Sequence, residues 1–201
     1  MFGKTPFFSI IPHMSSFKTK KIAAHKGNKF LLTENYLFVA QVADQELQEV
    51  MLLVSNSNSK NYTFETIHLN TGKFSEHSYT FLDTSENTVF LHVNHFGEES
   101  TYGHVYVSDI EGIRFSLSLP HNIRSYDNQC DFERVLGLDG IYIANSISSE
   151  FMDNNLEEID REEIEEADRM VEPKHKRSKT YNAEKSARNY VKTQITFNKG
   201  G

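Results

Sequence analysis

Four histidines in the middle of the chain are the residues with the clearest potential for chemistry. They are His92, His95, His104 and His121. An imidazole has an unperturbed pKa of about 6.5, so it changes charge between neutral and mildly acidic pH. Because charging several neighbouring groups raises their mutual repulsion and their desolvation cost, this spacing predicts a pH-sensitive region. The alternative is that the four side chains are solvated and have no such role.

Arginines and carboxylates offer a second kind of chemistry, glycoside hydrolysis. The arginines that could bind a substrate carboxylate are Arg114, Arg124 and Arg134, and Glu98 and Glu99 are adjacent acids. Hydrolysis also needs a tyrosine nucleophile or a suitably placed pair of carboxylic acids. No predicted strand carries the arginine motif that opens the sialidase pattern, and both glutamates fall in the turn-like stretch GEES. The sequence therefore predicts a protein that is not an enzyme, with a sialidase-like glycosidase as an alternative.

Composition limits the classes of partner. The chain has 201 residues, a net charge of −7, a mean hydropathy of −0.53 and an aromatic share of 12%. The negative charge opposes general binding to nucleic acid or to anionic membrane. No segment approaches the roughly 20 apolar residues of a membrane span, and residues 1–13 do not fit a signal peptide. Cys130 is the only cysteine, so no internal disulfide can form. No metal or cofactor is predicted.

A charged segment in the second half of the chain predicts an insertion. Residues 150–172 contain eleven Asp and Glu against two Arg, a net charge of −9. Residues 173–192 contain seven Lys and Arg against one Glu, a net charge of +6. Adjacent runs of opposite charge are typical of solvated segments, so we predict that residues 150–187 form a loop or loose helix. The run KHKRSK, Lys174–Lys179, also fits a nuclear import signal as an alternative.

The rest of the chain repeats itself at intervals of just over fifty residues. The similar stretches YLFVAQV, TVFLHVN and GIYIANS begin at Tyr36, Thr88 and Gly140, which are 52 residues apart both times. A second set of strands ends at Ser55 and, 53 residues later, at Ser108. Its third copy follows only after 88 residues, an excess of 35 that is about the size of the charged insertion. Removing the insertion therefore restores the period.

Short strands at this period predict an all-β fold, a β-propeller in which each repeat is one blade of about four strands. Propellers usually have about four to eight blades, so roughly three blades predict a part of a larger ring. The predicted strands are Leu37–Val42, Val50–Ser55, Thr63–Leu69, Tyr79–Leu82, Thr88–His95, Gly103–Ser108, Ile113–Leu119, Asp131–Val135, Ile141–Ser146 and Lys192–Phe197.

The turns after two of these strands share a pattern of hydroxyl, glycine and a polar or aromatic residue. The residues concerned are Ser108, Gly112 and Phe115 in the first turn and Thr196, Asn198 and Gly200 in the second. They resemble Asp boxes, in which side-chain oxygens accept backbone N–H groups and glycine takes a positive φ. The fit is partial, because Ile110 lies where the acid is expected. We predict a structural role for these six residues.

Four segments together resemble the luminal domain of the sortilin-type vacuolar protein sorting receptors. They are FLDTSENTVFLHVNH, YGHVYVSDIEGIRFSLSLP, DFERVLGLDGIYIANSI and QITFNKGG. The resemblance covers Lys29 to Gly201, so residues 1–201 are interpreted as a fragment of one such domain. It implies a ten-bladed propeller in the lumen of the Golgi and endosomes that binds peptide segments of cargo within its tunnel. It also implies a parent receptor with one membrane span and a short cytosolic tail. Fungal members, which sort soluble hydrolases to the vacuole, look closest.

The resemblance implies a function. The chain would be the luminal cargo-binding part of a transmembrane sorting receptor that carries soluble hydrolases from the Golgi to the endosome or vacuole. The four histidines would then weaken cargo binding at endosomal pH. A cytosolic propeller scaffold for protein partners is the alternative. Asn61, in the only sequon of the chain, is the candidate glycosylation site, and its glycosylation would separate a luminal from a cytosolic protein.

Overall fold

The computed structural model describes residues 9–10, 21–22, 24–56, 63–69, 74–75, 77–95, 100–125, 127, 129–150 and 190–196. All elements whose bounds lie within these residues are β-strands, which confirms the predicted all-β fold. The strands are β1 (Ser9–Ile10), β2 (Lys21–Ile22), β3 (Gly27–Leu32), β4 (Tyr36–Asp44), β5 (Glu49–Asn56), β6 (Glu65–Thr66), β7 (Phe74–Ser75), β8 (Tyr79–Asp83), β9 (Phe90–Val93), β10 (Tyr102–Ser108), β11 (Phe115–Ile123), β12 (Phe132–Arg134), β13 (Tyr142–Ile147) and β14 (Val191–Thr196). The described part of the chain has no helix long and apolar enough to cross a membrane.

The strands form three consecutive antiparallel units, which we call blades. Blade 1 contains β3 to β6 in that order, with β7 paired to the other end of β5. Blade 2 contains β8, β9, β10 and β11, again in chain order. In blade 3, β13 lies between β12 and β14. β1 and β2 pair only with each other among the described strands. This arrangement is a partial β-propeller, as predicted.

Blades 1 and 2 pack face to face through a large apolar cluster. Blade 1 contributes Phe38 and Leu52, and blade 2 contributes Val89, Leu91 and Val93 to the same cluster. Alternation of side chains along a strand sends every second residue of β9 toward blade 1. The remaining apolar residue of β9 points the other way, toward blade 3. All four residues of β9 are buried because the strand is covered on both faces.

Blades 2 and 3 pack through a smaller apolar cluster. Its buried members are Phe90, Val105 and Tyr142, and Phe132 packs against them. The ring centroids of Phe90 and Tyr142 are 4.6 Å apart, and those of Phe90 and Phe132 are 5.1 Å apart. Aromatic pairs at these distances contribute beyond the area that they bury. Blade 2 therefore uses one face for blade 1 and the other for blade 3.

The side-chain register shifts by one residue between blades 2 and 3. A constant spacing of 52 residues would make Tyr142 the counterpart of Phe90, and equivalent residues must face the same way. Instead Phe90 and Tyr142 contact each other across the interface. Tyr142 thus takes the place of Val89, which faces the preceding blade, and the spacing is 53. The equal spacing read from the sequence is wrong by one residue at the third copy.

The charged insertion starts and ends at one point of blade 3. β13 and β14 pair over six positions, from Tyr142 with Thr196 to Ile147 with Val191. The backbone N–H of Ser148 donates to the carbonyl of Tyr190 at 3.0 Å. Residues 151–189 lie outside the described residues. Because its two ends meet at the tip of a hairpin, the segment interrupts the chain without interrupting the sheet.

Candidate functional site

His92 is the most enclosed of the four predicted histidines. It lies on β9 with no exposed surface. Gly103 on β10 makes room for the ring, since a Cβ at that position would lie 2.5 Å from Cε1 of His92. Neither ring nitrogen has a hydrogen bond of ordinary geometry, although the backbone of Asn122 offers a weak one. Loss of solvent is the main reason that the pKa of His92 falls to about 4; the backbone of Asn122 partly opposes this fall, and the positive charge of Arg124 adds a smaller lowering.

The other three histidines form a row beside His92 on blade 2. The ring centroids of His95 and His104 are 5.2 Å apart, and those of His104 and His121 are 5.1 Å apart. Nε2 of His95 lies 2.9 Å from the hydroxyl of Tyr106, and the backbone N–H of His121 donates to Nδ1 of His104 at 3.1 Å. Burial lowers the pKa of both His95 and His104. The structure therefore brings all four histidines together.

These pKa shifts set the direction in which acid acts on the fold. A histidine whose pKa is lower in the folded chain than in the unfolded chain binds its proton preferentially after unfolding. For His92, the stability present above pH 6.5 is therefore lost as the pH falls toward about 4. The predicted loss of cargo binding in acid stays a prediction. Burial keeps the imidazole neutral, and protonation requires the packing around it to open.

The residues around His92 form part of the contact between blades 2 and 3. We call the buried side chains of His92, Asn122, Arg124 and Ser146 the polar joint. Asn122 pairs with Ser146 in the backbone register and is the only position at which β11 pairs with β13 in the described chain. Its Nδ2 donates to two carbonyls of blade 3, those of Asp131 and Asn145, both at 2.9 Å.

Sequence reasoning missed Asn122 and Ser146 as members of this joint. Both are polar residues in apolar strands, and their burial follows only from the blade stacked against them. From the sequence, Arg124 was considered only as a ligand for a substrate carboxylate. In the structure it is 3% exposed, and its Nη2 donates to the carbonyl of His77 at 3.0 Å. The available signal was a polar residue at a position where alternation predicts an apolar one. The same pattern also fits a turn that faces solvent, so it did not identify the joint.

The turn between β10 and β11 has a different acid from the one the sequence pattern predicts. Gly112 has a φ of 74°, and Phe115 is buried. The Ser108 hydroxyl accepts the N–H of Val89 at 2.9 Å and donates to the carbonyl of Asp109 at 2.7 Å. Oδ1 of Asp109 accepts the backbone N–H of Ile113 at 2.9 Å. Asp109 thus supplies the carboxylate one position before the expected site.

The exposed residue of this turn still contributes through its backbone. Ile110 is 62% exposed, and its carbonyl accepts the hydroxyl of Tyr36 from blade 1 at 2.9 Å. The turn therefore stabilises the contact between blades 1 and 2. Of the second predicted turn, Thr196 ends β14 and pairs with Tyr142. Asn198, Gly200 and the candidate glycosylation residue Asn61 lie outside the described residues.

A partly buried carboxylate and a buried tyrosine that would suit glycoside hydrolysis lie between blades 2 and 3. The hydroxyl of Tyr142 donates to Oδ2 of Asp83 at 2.7 Å. Tyr142 is 1% exposed, and burial with the hydrogen bond to Asp83 raises its pKa. A phenol whose pKa is raised is a poor nucleophile at neutral pH. This pair joins two blades.

The three candidate arginines each have a different partner. Nη1 of Arg114 lies 3.9 Å from Oδ2 of Asp109, and Arg124 is in the polar joint. Arg134 donates to Oε1 of Glu86 at 2.7 Å. Glu98 and Glu99 lie outside the described residues. The described geometry therefore gives the arginines roles in turns and blade contacts. Across the part of the chain that the structure describes, no group of three His, Cys, Asp or Glu side chains could hold a metal ion.

Comparison with known proteins gives the family. The model of the family described as sortilin, neurotensin receptor 3, matches residues 7–201. The chain belongs to the Sortilin-Vps10 family. It is 27% identical over 180 residues to the sortilin-related receptor of Homo sapiens, covering 79% of this chain and 8% of the receptor. It is 32% identical over 123 residues to vacuolar protein sorting/targeting protein 10 of Schizosaccharomyces pombe, covering 60% of this chain and 8% of that protein. The same-named protein of Pyricularia oryzae is 27% identical over 133 residues, covering 65% of this chain and 8% of that protein.

The family match fits the structure at the level of the fold and of the general class. Sortilin-Vps10 is a propeller domain, and its members are sorting receptors, so the resemblance predicted from the sequence is confirmed. The chain spans less than a tenth of the length of the curated relatives it matches. Membership of a receptor family also agrees with the non-enzymatic roles of the tyrosine and arginines described above.

Proposed function

We propose that this chain is part of the luminal, cargo-binding propeller of a transmembrane receptor that carries soluble hydrolases from the Golgi to the endosome or vacuole. The observation that supports the proposal most is the Sortilin-Vps10 match over residues 7–201, on a chain folded as consecutive stacked blades. The buried Tyr142 and the side chain of Arg134, which serve blade contacts, also favour binding over catalysis.

The experiment is to delete the gene in the source cell and to measure a vacuolar hydrolase in the growth medium. We expect the hydrolase to be secreted, and re-expression of the protein to restore its retention. A reporter enzyme that is normally secreted is the control for a general defect in the secretory pathway. Unchanged retention of every hydrolase tested would contradict the proposal.

A cytosolic scaffold is separated from a luminal receptor by glycosylation. On the luminal proposal, treatment of the cellular protein with an endoglycosidase lowers its apparent mass. The Asn61→Gln variant has the lower mass without treatment. Asn58→Gln is the matched control, because Asn58 is three residues away and outside any sequon. A protein whose mass is unchanged by the enzyme favours the cytosolic scaffold.

We further propose that acid weakens cargo binding through the group of His92, His95, His104 and His121. The supporting observation is that burial lowers the pKa of three of them, so that protonation favours a more open blade 2. Cargo affinity of the complete receptor is to be compared at neutral and mildly acidic pH, with and without these histidines changed to Gln. Equal affinity at both pH values would remove the proposal, and a loss that survives the Gln changes would assign it to other groups.

A further inference from the structure

The dipeptide Asp139-Gly140 is the only Asp-Gly or Asn-Gly sequence in the chain. It lies in the turn between β12 and β13, at the contact between blades 2 and 3. Its two residues differ in exposure. The side chain of Asp139 is 95% exposed, whereas Gly140 is buried and has a φ of 72°.

Asp-Gly sequences can undergo a spontaneous change in water. The backbone nitrogen of the glycine bonds to Cγ of the aspartic acid, and the amide proton leaves with the carboxyl hydroxyl as water. The cyclic imide that results takes up water at either carbonyl. Opening at the α-carbonyl gives isoaspartate, in which the backbone passes through the side chain and is one methylene longer. The reaction needs no enzyme and no reagent other than water.

In the folded chain the attacking nitrogen already takes part in a hydrogen bond. The N–H of Gly140 donates to Oε1 of Glu86, in the blade 2 turn, at 2.9 Å. Arg134 donates to the same oxygen at 2.7 Å and lies 3.3 Å from Oδ1 of Asp139. Attack on Cγ of Asp139 requires the backbone nitrogen of Gly140 to lose its hydrogen bond to Glu86. This loss requires the Glu86 contact between blades 2 and 3 to open.

We propose that Asp139 is a site of isoaspartate formation that the contact between blades 2 and 3 protects, so that modification occurs only when these blades separate. Isoaspartate at this position also has a consequence for the contact. The added methylene displaces the N–H of Gly140 from Glu86, and the blades then lack one of the hydrogen bonds that join them. Modification is therefore both a record of blade separation and a step that makes separation easier.

The test is to incubate the full 201-residue chain at neutral pH, folded in buffer or unfolded in urea, and to measure isoaspartate over time. Methyl transfer by an isoaspartyl methyltransferase measures the total, and electron-transfer fragmentation of the tryptic peptide that begins at Val135 locates it. We expect formation at Asp139 to be roughly fivefold or more slower in the folded chain, as for any reaction that needs local opening. Asp139→Glu, which does not readily form the five-membered imide, should remove the signal.

A pair of variants tests the role of the Glu86 contact. Glu86→Ala should raise the rate in the folded chain severalfold, because it frees the N–H of Gly140. Glu34→Ala is the matched control, since Glu34 occupies the corresponding turn of blade 1, 52 residues earlier. Equal rates for the folded and unfolded wild-type chain would overturn the proposal whatever the variants do. A Glu86→Ala rate equal to that of wild type would overturn the role given to Glu86.

Discussion

The two blade contacts of this chain share one architecture but differ in what holds them. Between blades 1 and 2, apolar side chains such as Phe38, Leu52 and Leu91 form one large buried cluster. Between blades 2 and 3, a smaller apolar cluster lies beside the polar joint. Apolar burial does not depend on pH, whereas a buried neutral imidazole does. The comparison teaches that repeats of one fold can differ in their response to acid.

The largest effect should come from shortening a side chain in the apolar contact. Leu91 is fully buried, so Leu91→Ala should lower the free energy of unfolding by about 2–5 kcal/mol, the usual range for a buried leucine. Leu117→Ala is the control, because Leu117 is 54% exposed and should cost less than about 0.5 kcal/mol. Urea denaturation measures both. Similar losses in the two variants would contradict the packing of blade 1 on blade 2.

A side chain at Gly103 should damage the polar joint. A Cβ there would lie 2.5 Å from both Cε1 of His92 and the carbonyl oxygen of Val93, so one of them must move. We expect Gly103→Ala to cost about 1–3 kcal/mol, as overpacking usually does. Gly137→Ala is the matched control for space, because nothing lies within 4 Å of a Cβ at that position, although its φ of 85° adds backbone strain. Thermal unfolding at pH 7 gives the comparison. A Gly103→Ala variant as stable as wild type would show that His92 is not confined there.

Acid should act on the polar joint in proportion to the pKa shift of His92. With a pKa of about 4 in the fold and about 6.5 when unfolded, lowering the pH from 7 to 5 should cost about 2 kcal/mol. His92→Gln should remove most of this pH dependence. His25→Gln, at an exposed position of blade 1, is the control and should retain it. Urea denaturation of each protein at pH 7 and pH 5 measures the difference. The same pH dependence in His92→Gln would assign it to other groups.

The smallest loss of stability should come from removing the charged insertion. A short turn that joins Ser148 to Tyr190 keeps the hydrogen bond between their backbones and the full pairing of β13 with β14. Shortening this connection from about 40 residues to a few lowers its closure entropy cost, so the free energy of unfolding should rise by at most about 2 kcal/mol and should not fall. Thermal unfolding of the shortened chain is the measurement. A loss comparable to that of Leu91→Ala would show that the insertion packs on the blades.

The sequence was sufficient for the fold because the repeat is a long-range signal. Three copies of one apolar strand gave the blade as the unit, and the family resemblance followed from segments at matched separations. The one-residue shift at Tyr142 escaped the pattern, since a β-strand keeps its composition when its two faces exchange. Asp109 escaped because a turn can use either of two neighbouring carboxylate positions. The burial of His92 depends on contacts that no local pattern records.

Hydrogen exchange measures the difference between the two blade contacts most directly. Amide protection is to be compared at pH 7 and pH 5, corrected for the intrinsic rate, in β4 (Tyr36–Asp44) of blade 1 and β13 (Tyr142–Ile147) of blade 3. We predict that protection of β13 falls at pH 5 while that of β4 is unchanged, because, among the described residues, only the contact beside β13 contains a buried imidazole that acid must charge. Equal loss in both strands, or no loss in either, would contradict the account.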